Sequence, residues 1–306
     1  MKVAALDLGT NSFLCLIAVV EKGEIKQVLS DQVEIVRLGQ DVHKTKKFHP
    51  DALKRARLCL YEFKKSIDTH KPEKILAMAT SAARDVSNAA ELFSLGKDLG
   101  IPIEIIPGDR EAEITFKGAI SGLPHDKKRR AVIDIGGGST EIVAGTHDEI
   151  FGGRSVNIGA VRLTEMFAPT QPPTEDQFRA LQKHVEEKLK GLIEIILRYQ
   201  VDELIAVAGT PTELVAATLG EFDPVKIEGF RFSKDALVEW IDKFKMSTSQ
   251  ERVDNLGISK GRADIILAGT VILEMILKGL DFQSVTVSTR GVRYGIALEI
   301  EKRFSR

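Results

Sequence analysis

The sequence predicts an α/β protein built from two related domains, and two observations carry that expectation. The stretch 130–145, R-A-V-I-D-I-G-G-G-S-T-E-I-V-A-G, reads as a strand, a tight glycine turn and a returning strand. The N-terminus reads V-A-A-L-D-L-G-T-N-S-F-L-C-L-I-A in the same order of residue types. Asp7 and Asp134 stand 127 residues apart, as do Gly9 and Gly136, and Ser12 and Ser139. Each copy continues into a polar turn, at 21–24 in one and 146–149 in the other. Two copies at one spacing mark a duplicated domain rather than a solenoid.

The repeated element has chemical content. Residues lacking a Cβ let backbone N–H groups approach an anion closely and converge on it. Gly136, Gly137 and Gly138 with Ser139 form such a run, and Gly9, Thr10, Asn11 and Ser12 form its counterpart. Asp134, at its strand end, is placed to hold a cation or a water beside a bound phosphate. One glycine run alone would equally suit a loose loop; the second copy favours two phosphate-gripping hairpins facing each other across a cleft.

Composition narrows the function classes. Lys plus Arg number 43 and Asp plus Glu 44, so no global charge draws the chain to nucleic acid and any anion site is local. The two cysteines, Cys15 and Cys59, fall on apolar faces and read as buried thiols of a reducing compartment. Asp7 interrupts the first apolar run before a signal core forms, and no run reaches membrane-spanning length. A soluble, cytoplasmic protein without membrane partners is expected. The six histidines show no zinc-ligand spacing, and C-x-x-C, G-x-S-x-G and P-loop motifs are lacking.

In chain order, strands are expected at 3–6, 13–20, 24–30 and 33–38. The cluster His43, Lys44, Lys46, Lys47 and His49 is either a basic lip for a polyanion or, more plainly, a solvated loop. Leu53, Ala56, Leu60, Phe63 and Ile67 recur at helical spacing. A strand at 75–79 leads to Arg84, which suits bidentate phosphate binding or an ordinary helix surface. Asn88 and Glu91 resemble a capping pair opening a helix that stops at Gly100. A strand at 103–106 meets a helix whose first turn carries Asp109, Glu111 and Glu113; each is a helix-dipole carboxylate or a base, and position alone does not choose among them.

The charged connector 125–130 marks the boundary between a first domain, 1–124, and a second, 125–306, with the option that the C-terminal helix packs back on the first. Beyond a strand at 150–158, Thr174 with Gln177 opens a long helix. A strand at 204–208 breaks at Gly209 and Thr210, where a helix N-terminus offers a further anion site. Ser233 caps a helix whose Trp240 and Phe244 read as core rather than a base-stacking platform. An apolar helix over 262–277 carries Gly269 for close packing, and a strand at 285–287 precedes the C-terminal helix.

These pieces together resemble the Ppx/GppA family of exopolyphosphatases and guanosine pentaphosphate phosphohydrolases. The resemblance rests on Asp7–Ser12 and Asp134–Glu141, extended by Ala79-Thr80 with Arg84 and Asn88, Gly108 with Glu111, Gly209-Thr210, and Ser288 with Gly291, Arg293 and Gly295. They fall in the family's order over nearly the whole chain. The resemblance implies two actin-like (ribonuclease H-like) domains, each a mixed five-stranded-type sheet flanked by helices, around an interdomain cleft. The chain's end near Arg306 suggests the short two-domain form. Glu111 matches the family's catalytic glutamate. Asp134 and Glu141, with Asp7, match positions tied to Mg²⁺ (or another divalent cation) and the attacking water. Arg84, both glycine hairpins, and Gly209 with Thr210 match phosphate-binding positions. Glu213 is a departure, since many relatives carry Thr there.

The implied activity is release of terminal orthophosphate from inorganic polyphosphate, or from guanosine pentaphosphate in the stringent response, by in-line water attack. An actin-like ATPase or sugar kinase, and a non-catalytic polyphosphate or alarmone sensor, are the alternatives. A sensor has no need of a base, which weighs against it, and the lack of an obvious acceptor-site base favours water over a sugar. The sequence leaves the oligomeric state open, a homodimer being one option.

Overall fold

The computed structural model describes residues 1–305. The chain divides into two compact units, Met1–Leu123 with Arg290–Arg306, and Pro124–Thr289. The boundary expected between 124 and 125 falls between Leu123 and Pro124, and the residues from Arg290 group with the first unit, the option the sequence left for the C-terminal helix.

The first unit opens with β1 (Lys2–Leu8), β2 (Ser12–Glu21) and β3 (Glu24–Ile35). There follow α1 (Val42–Thr45), α2 (Pro50–His70), β4 (Lys74–Ala79), α3 (Ser81–Arg84), α4 (Ala90–Asp98), β5 (Ile103–Ile105) and α5 (Gly108–Ile120). Its sheet has the order β3-β2-β1-β4-β5. β1 is antiparallel to β2 and parallel to β4, so it is buried on both faces. Alternation along β1 therefore serves two cores. Ala4, Leu6 and Leu8 join the apolar side of α2 and α4, whereas Val3 and Ala5 join Ile114 of α5.

Two expectations change here. The strands expected at 24–30 and 33–38 are one strand, β3, because polar Ser30-Asp31-Gln32 continues the ladder along the sheet edge. Asn88 does not cap α4, whose cap position is Ala89 without a side-chain bond. Instead the Asn88 carbonyl oxygen accepts the Phe48 amide at 2.8 Å, and its amide donates to Glu91.

The second unit contains β6 (Arg130–Ile135), β7 (Thr140–Gly145), β8 (Ile150–Val156), α6 (Ala160–Phe167), α7 (Glu175–Leu197), β9 (Glu203–Val207) and α8 (Gly209–Leu219). It continues through α9 (Pro224–Ile227), β10 (Arg231–Ser233), α10 (Lys234–Lys245), α11 (Ser249–Leu256), α12 (Ile266–Gly279) and β11 (Ser284–Val287). The last helix, α13 (Val292–Phe304), belongs to the first unit. Read from β8, the sheet runs β8-β7-β6-β9-β11, the order of the first unit, with β10 added antiparallel to β11. That sixth strand departs from the five-stranded expectation; at three residues it is too short to be legible by alternation.

Thr174 and Gln177 form the reciprocal capping box expected of α7, and Ser233 accepts the Ala236 amide to cap α10. The helix expected from Arg262 begins only at Ile266, as the chain before it turns on Arg262 N to Ser259 O and Ile265 N to Arg262 O bonds. Gly269 of α12 is needed where it stands, since a Cβ there would lie 2.2 Å from the Thr210 hydroxyl. Among the described residues, no helix is long and apolar enough to cross a membrane.

Candidate active site

Each unit presents its glycine hairpin in the same way. In the first, Gly9 N donates to Ser12 O at 3.1 Å; in the second, Gly136 N donates to Ser139 O at 3.0 Å. A Cβ on Gly9 would lie 2.9 Å from Ser12 O, and one on Gly136 would lie 3.1 Å from Ser139 O, so a side chain at either crowds the turn.

The carbonyls behind each loop are taken up by the chain that follows the third strand. Asn11 O accepts Val36 N and Arg37 N, and Thr10 O accepts Gly39 N. Correspondingly, Gly136 O accepts Ala160 N, Gly137 O accepts Val161 N and Arg162 N, and Gly138 O accepts Arg162 Nε at 2.7 Å. In a trans peptide the N–H points opposite to its C=O. The amides of Asn11 and Ser12, and of Gly137, Gly138 and Ser139, are thereby aimed away from these partners, an arrangement that suits an anion. Gly159 permits the close approach, because a Cβ there would lie 2.5 Å from the Gly137 carbonyl carbon.

Around the first hairpin, α3 and α5 bring Arg84 and Glu111 together. Arg84 Nη1 donates to Glu111 Oε2 at 2.7 Å and to Ile106 O at 2.9 Å. Glu111 is only 6% exposed, in the first turn of α5. Burial pushes its carboxyl pKa up, and the Arg84 guanidinium offsets part of that rise. Asp109 and Glu113 lie in less buried positions, and Glu113 pairs with Arg110 at 2.7 Å. Of the three carboxylates, Glu111 alone is buried.

Arg293 of α13 forms a fork with Asp31, at 2.7 and 2.8 Å, and its guanidinium carbon sits 4.9 Å from the Tyr294 ring centroid. Burial disfavours its charge, but Asp31, Tyr294 and Asp7 outweigh that and hold its pKa above the ordinary value. Helix α13 packs on α5 at contact distance, since a Cβ on Gly295 would lie 1.9 Å from Ile114 O.

In the second unit, Asp134 and Glu141 are register partners across β6 and β7, and both are buried. Glu141 Oε1 accepts the Ser155 hydroxyl at 2.6 Å. Two carboxylates directly opposed repel each other. That donor set fits a hard divalent cation such as Mg²⁺, which commonly takes one or two carboxylates and completes its shell with water and phosphate oxygens. Among the described residues, no three His, Cys, Asp or Glu side chains converge into a metal-ligand cluster.

Gly209 and Thr210 begin α8. Gly209 admits Arg262, whose Nη1 lies where a Cβ would approach to 1.7 Å. Glu213 turns inward, accepting the Ser259 amide and pairing with Arg262 at 3.5 Å. Burial depresses the Arg262 pKa, with Glu213 opposing. Glu213 thus holds an arginine beside the α8 N-terminus.

The expected residues therefore fall in two groups. Asp7, Gly9, Thr10, Asn11, Ser12, Arg84 and Glu111 belong to the first unit; Asp134, Gly136, Gly137, Gly138, Ser139, Glu141, Gly209 and Thr210 belong to the second. Ser155, Asp31 and Arg262 escaped sequence reasoning. Their partners are set by strand register and loop packing, which no local pattern announces.

The Ppx/GppA phosphatase family model matches residues 16–304. The chain is 34% identical over 314 aligned residues to exopolyphosphatase 2 of Mycobacterium tuberculosis, covering 98% of each protein. Among solved structures, it is similar to an exopolyphosphatase-like protein (TM-score 0.93, 32% identity, 100% of this chain and 99% of that one). It is also similar to the Aquifex aeolicus member of the Ppx/GppA family (TM-score 0.81, 30% identity, 99% of both chains).

Proposed function

Because the chain belongs to the Ppx/GppA phosphatase family, we propose that it releases terminal orthophosphate from inorganic polyphosphate, guanosine pentaphosphate or both. The observation that carries this is Glu111, a buried carboxylate with a raised pKa held in one orientation by Arg84. Hydrolysis of a phosphoanhydride needs an in-line water, neutralisation of the transferring oxygens and a positioned carboxylate. Glu111 orients the water and takes its proton, and a pKa moved toward neutrality improves a carboxylate for that task. The hairpin amides bind phosphate oxygens, and Arg84 stands beside the base to steady charge as it develops.

Mg²⁺ is proposed to be held by Asp134 and Glu141, with Asp7 as the corresponding carboxylate of the first unit. When bound it supplies charge neutralisation on phosphate oxygens. Ser155 keeps Glu141 oriented for that role.

The test is orthophosphate release from polyphosphate and from guanosine pentaphosphate, side by side, with wild type and Glu111→Gln. Release from at least one substrate, lowered at least about a hundredfold in the variant, is the expected result. Undiminished release by Glu111→Gln removes Glu111 from the mechanism. Absence of release from both substrates, with phosphate transferred from ATP to a sugar instead, overturns the reading.

A further inference from the structure

The sheet of the first unit turns two carboxylates toward the same helix. Val3 and Ala5 of β1 and Leu16 and Ala18 of β2 pack with Ile296 and Ala297 of α13. Side chains alternate along a strand, so Asp7, two residues beyond Ala5, faces α13 as well. Asp31 of β3 is the register partner of Leu16 and shares that face. Asp7 stands level with Leu14 and Asp31 level with Leu16, on either side of β2, which puts their Cα atoms on the order of 12 Å apart. Helix α13 packs on all three strands, and Arg293 in its first turn is buried.

The Arg293 guanidinium is committed to Asp31. Its Nε and Nη2 donate to the two Asp31 oxygens at 2.7 and 2.8 Å, and the Tyr294 hydroxyl donates to one of them at 3.3 Å. Nη1 still carries two N–H donors. The helix has no room to slide. A Cβ on Gly295 would lie 1.9 Å from Ile114 O, and one on Gly118 would lie 2.3 Å from Gly291 O. Burial works against the Arg293 charge, but Asp31 first, then Tyr294 and Asp7, hold its pKa above the ordinary value. Asp7 is thus within electrostatic reach of the guanidinium.

We propose that Asp31 is a positioning residue: by occupying Arg293 it keeps the guanidinium from pairing with Asp7 and so leaves Asp7 to a divalent cation. This rests on Asp7 being a carboxylate of the proposed Mg²⁺ site. A guanidinium matches a carboxylate in a two-bond fork. An arginine beside a metal carboxylate therefore competes with the metal unless another carboxylate engages it. Asp7, Asp31 and Arg293 together carry one net negative charge, which attracts a cation; without Asp31 that charge is zero. Stability alone accounts poorly for the pair. On a face as apolar as this one, well-packed apolar residues serve as well as a buried ion pair.

Binding of Mn²⁺, a probe for the Mg²⁺ site, is measured on the full-length protein without substrate, from the electron paramagnetic resonance of the unbound ion. Each variant is held well below its melting temperature. Asp31→Ala should lower Mn²⁺ affinity at least about tenfold, the scale of losing an outer-shell partner. Arg293→Met should keep the wild-type affinity, although it too breaks the pair and lowers the melting temperature. The double variant Asp31→Ala, Arg293→Met should recover what Asp31→Ala lost, since no arginine remains to pair with Asp7. A purely structural pair predicts instead that affinity follows the melting temperature in both single variants. Unchanged affinity in Asp31→Ala, an equal loss in Arg293→Met, or no recovery in the double variant overturns the inference and leaves the metal reading standing. A wild type that binds no Mn²⁺ removes both.

Discussion

The two units repeat one backbone and reverse one charge pair. Met78 is the β4 partner of Asp7, and Val207 is the β9 partner of Asp134. Six residues beyond each stands Arg84 in the first unit and Glu213 in the second. Arg84 is bonded to a glutamate, Glu111, whereas Glu213 is paired with an arginine, Arg262. The hairpins diverge in the same spirit. Leu14 faces Asp7 across the first, and Glu141 faces Asp134 across the second. A duplicated fold has kept one hairpin backbone in both copies while setting different side chains beside it: a buried carboxylate bonded to an arginine in one, an opposed carboxylate pair in the other.

The largest expected effect breaks the symmetry of the reversed pairs. Glu111→Gln should lower turnover at least about a hundredfold, while Glu213→Gln should leave turnover within about threefold and lower stability by about 1–3 kcal/mol, read by thermal melting. Equal losses of turnover in both variants would mean that the two pairs do the same work.

The next effect concerns the loops. Gly159→Ala places a Cβ 2.5 Å from backbone of the second hairpin, so that loop must move. Phosphate affinity should fall more than in Gly136→Ala, whose added Cβ meets a single carbonyl at 3.1 Å. Isothermal titration with inorganic phosphate gives the order.

Removing the Ser155 hydroxyl, with Ser155→Ala, should weaken the dependence on Mg²⁺ by about tenfold or more through Glu141, as loss of an outer-shell partner does. An unchanged Mg²⁺ titration would separate Ser155 from the metal.

The smallest effect is in pH. The Glu111 pKa is raised by burial, so its protonated form persists above the ordinary carboxylate range. Turnover should therefore rise with pH as Glu111 loses its proton. Stability runs the other way for this group: the unfolded chain releases the proton first, so folding is progressively penalised as pH climbs from the unfolded toward the folded pKa. Glu111→Gln should abolish that limb of the stability profile, which denaturant melts across the acid-to-neutral range would detect.

Much of this is legible in the sequence. The hairpins, the long helices and the caps at Thr174 and Ser233 are local, and each is signalled by residues a few positions apart. Helix α11 carries the same kind of local signal, since Thr248 and Glu251 form a capping box. What escaped has a common cause. Strand β10 is short, β3 runs straight through polar residues on a sheet edge, and Asn88 prefers the Phe48 backbone to its own helix.

By itself the sequence determined the duplication, the two glycine turns and the short list of carboxylates, because backbone conformation and hydrophobic period are written locally. Only the tertiary structure buried Glu111 while leaving Asp109 and Glu113 more exposed, paired it with Arg84, turned Glu213 onto Arg262 and set Ser155 on Glu141. Those choices depend on burial and on distances between residues far apart in the chain, and both exist only once the strands have found their register.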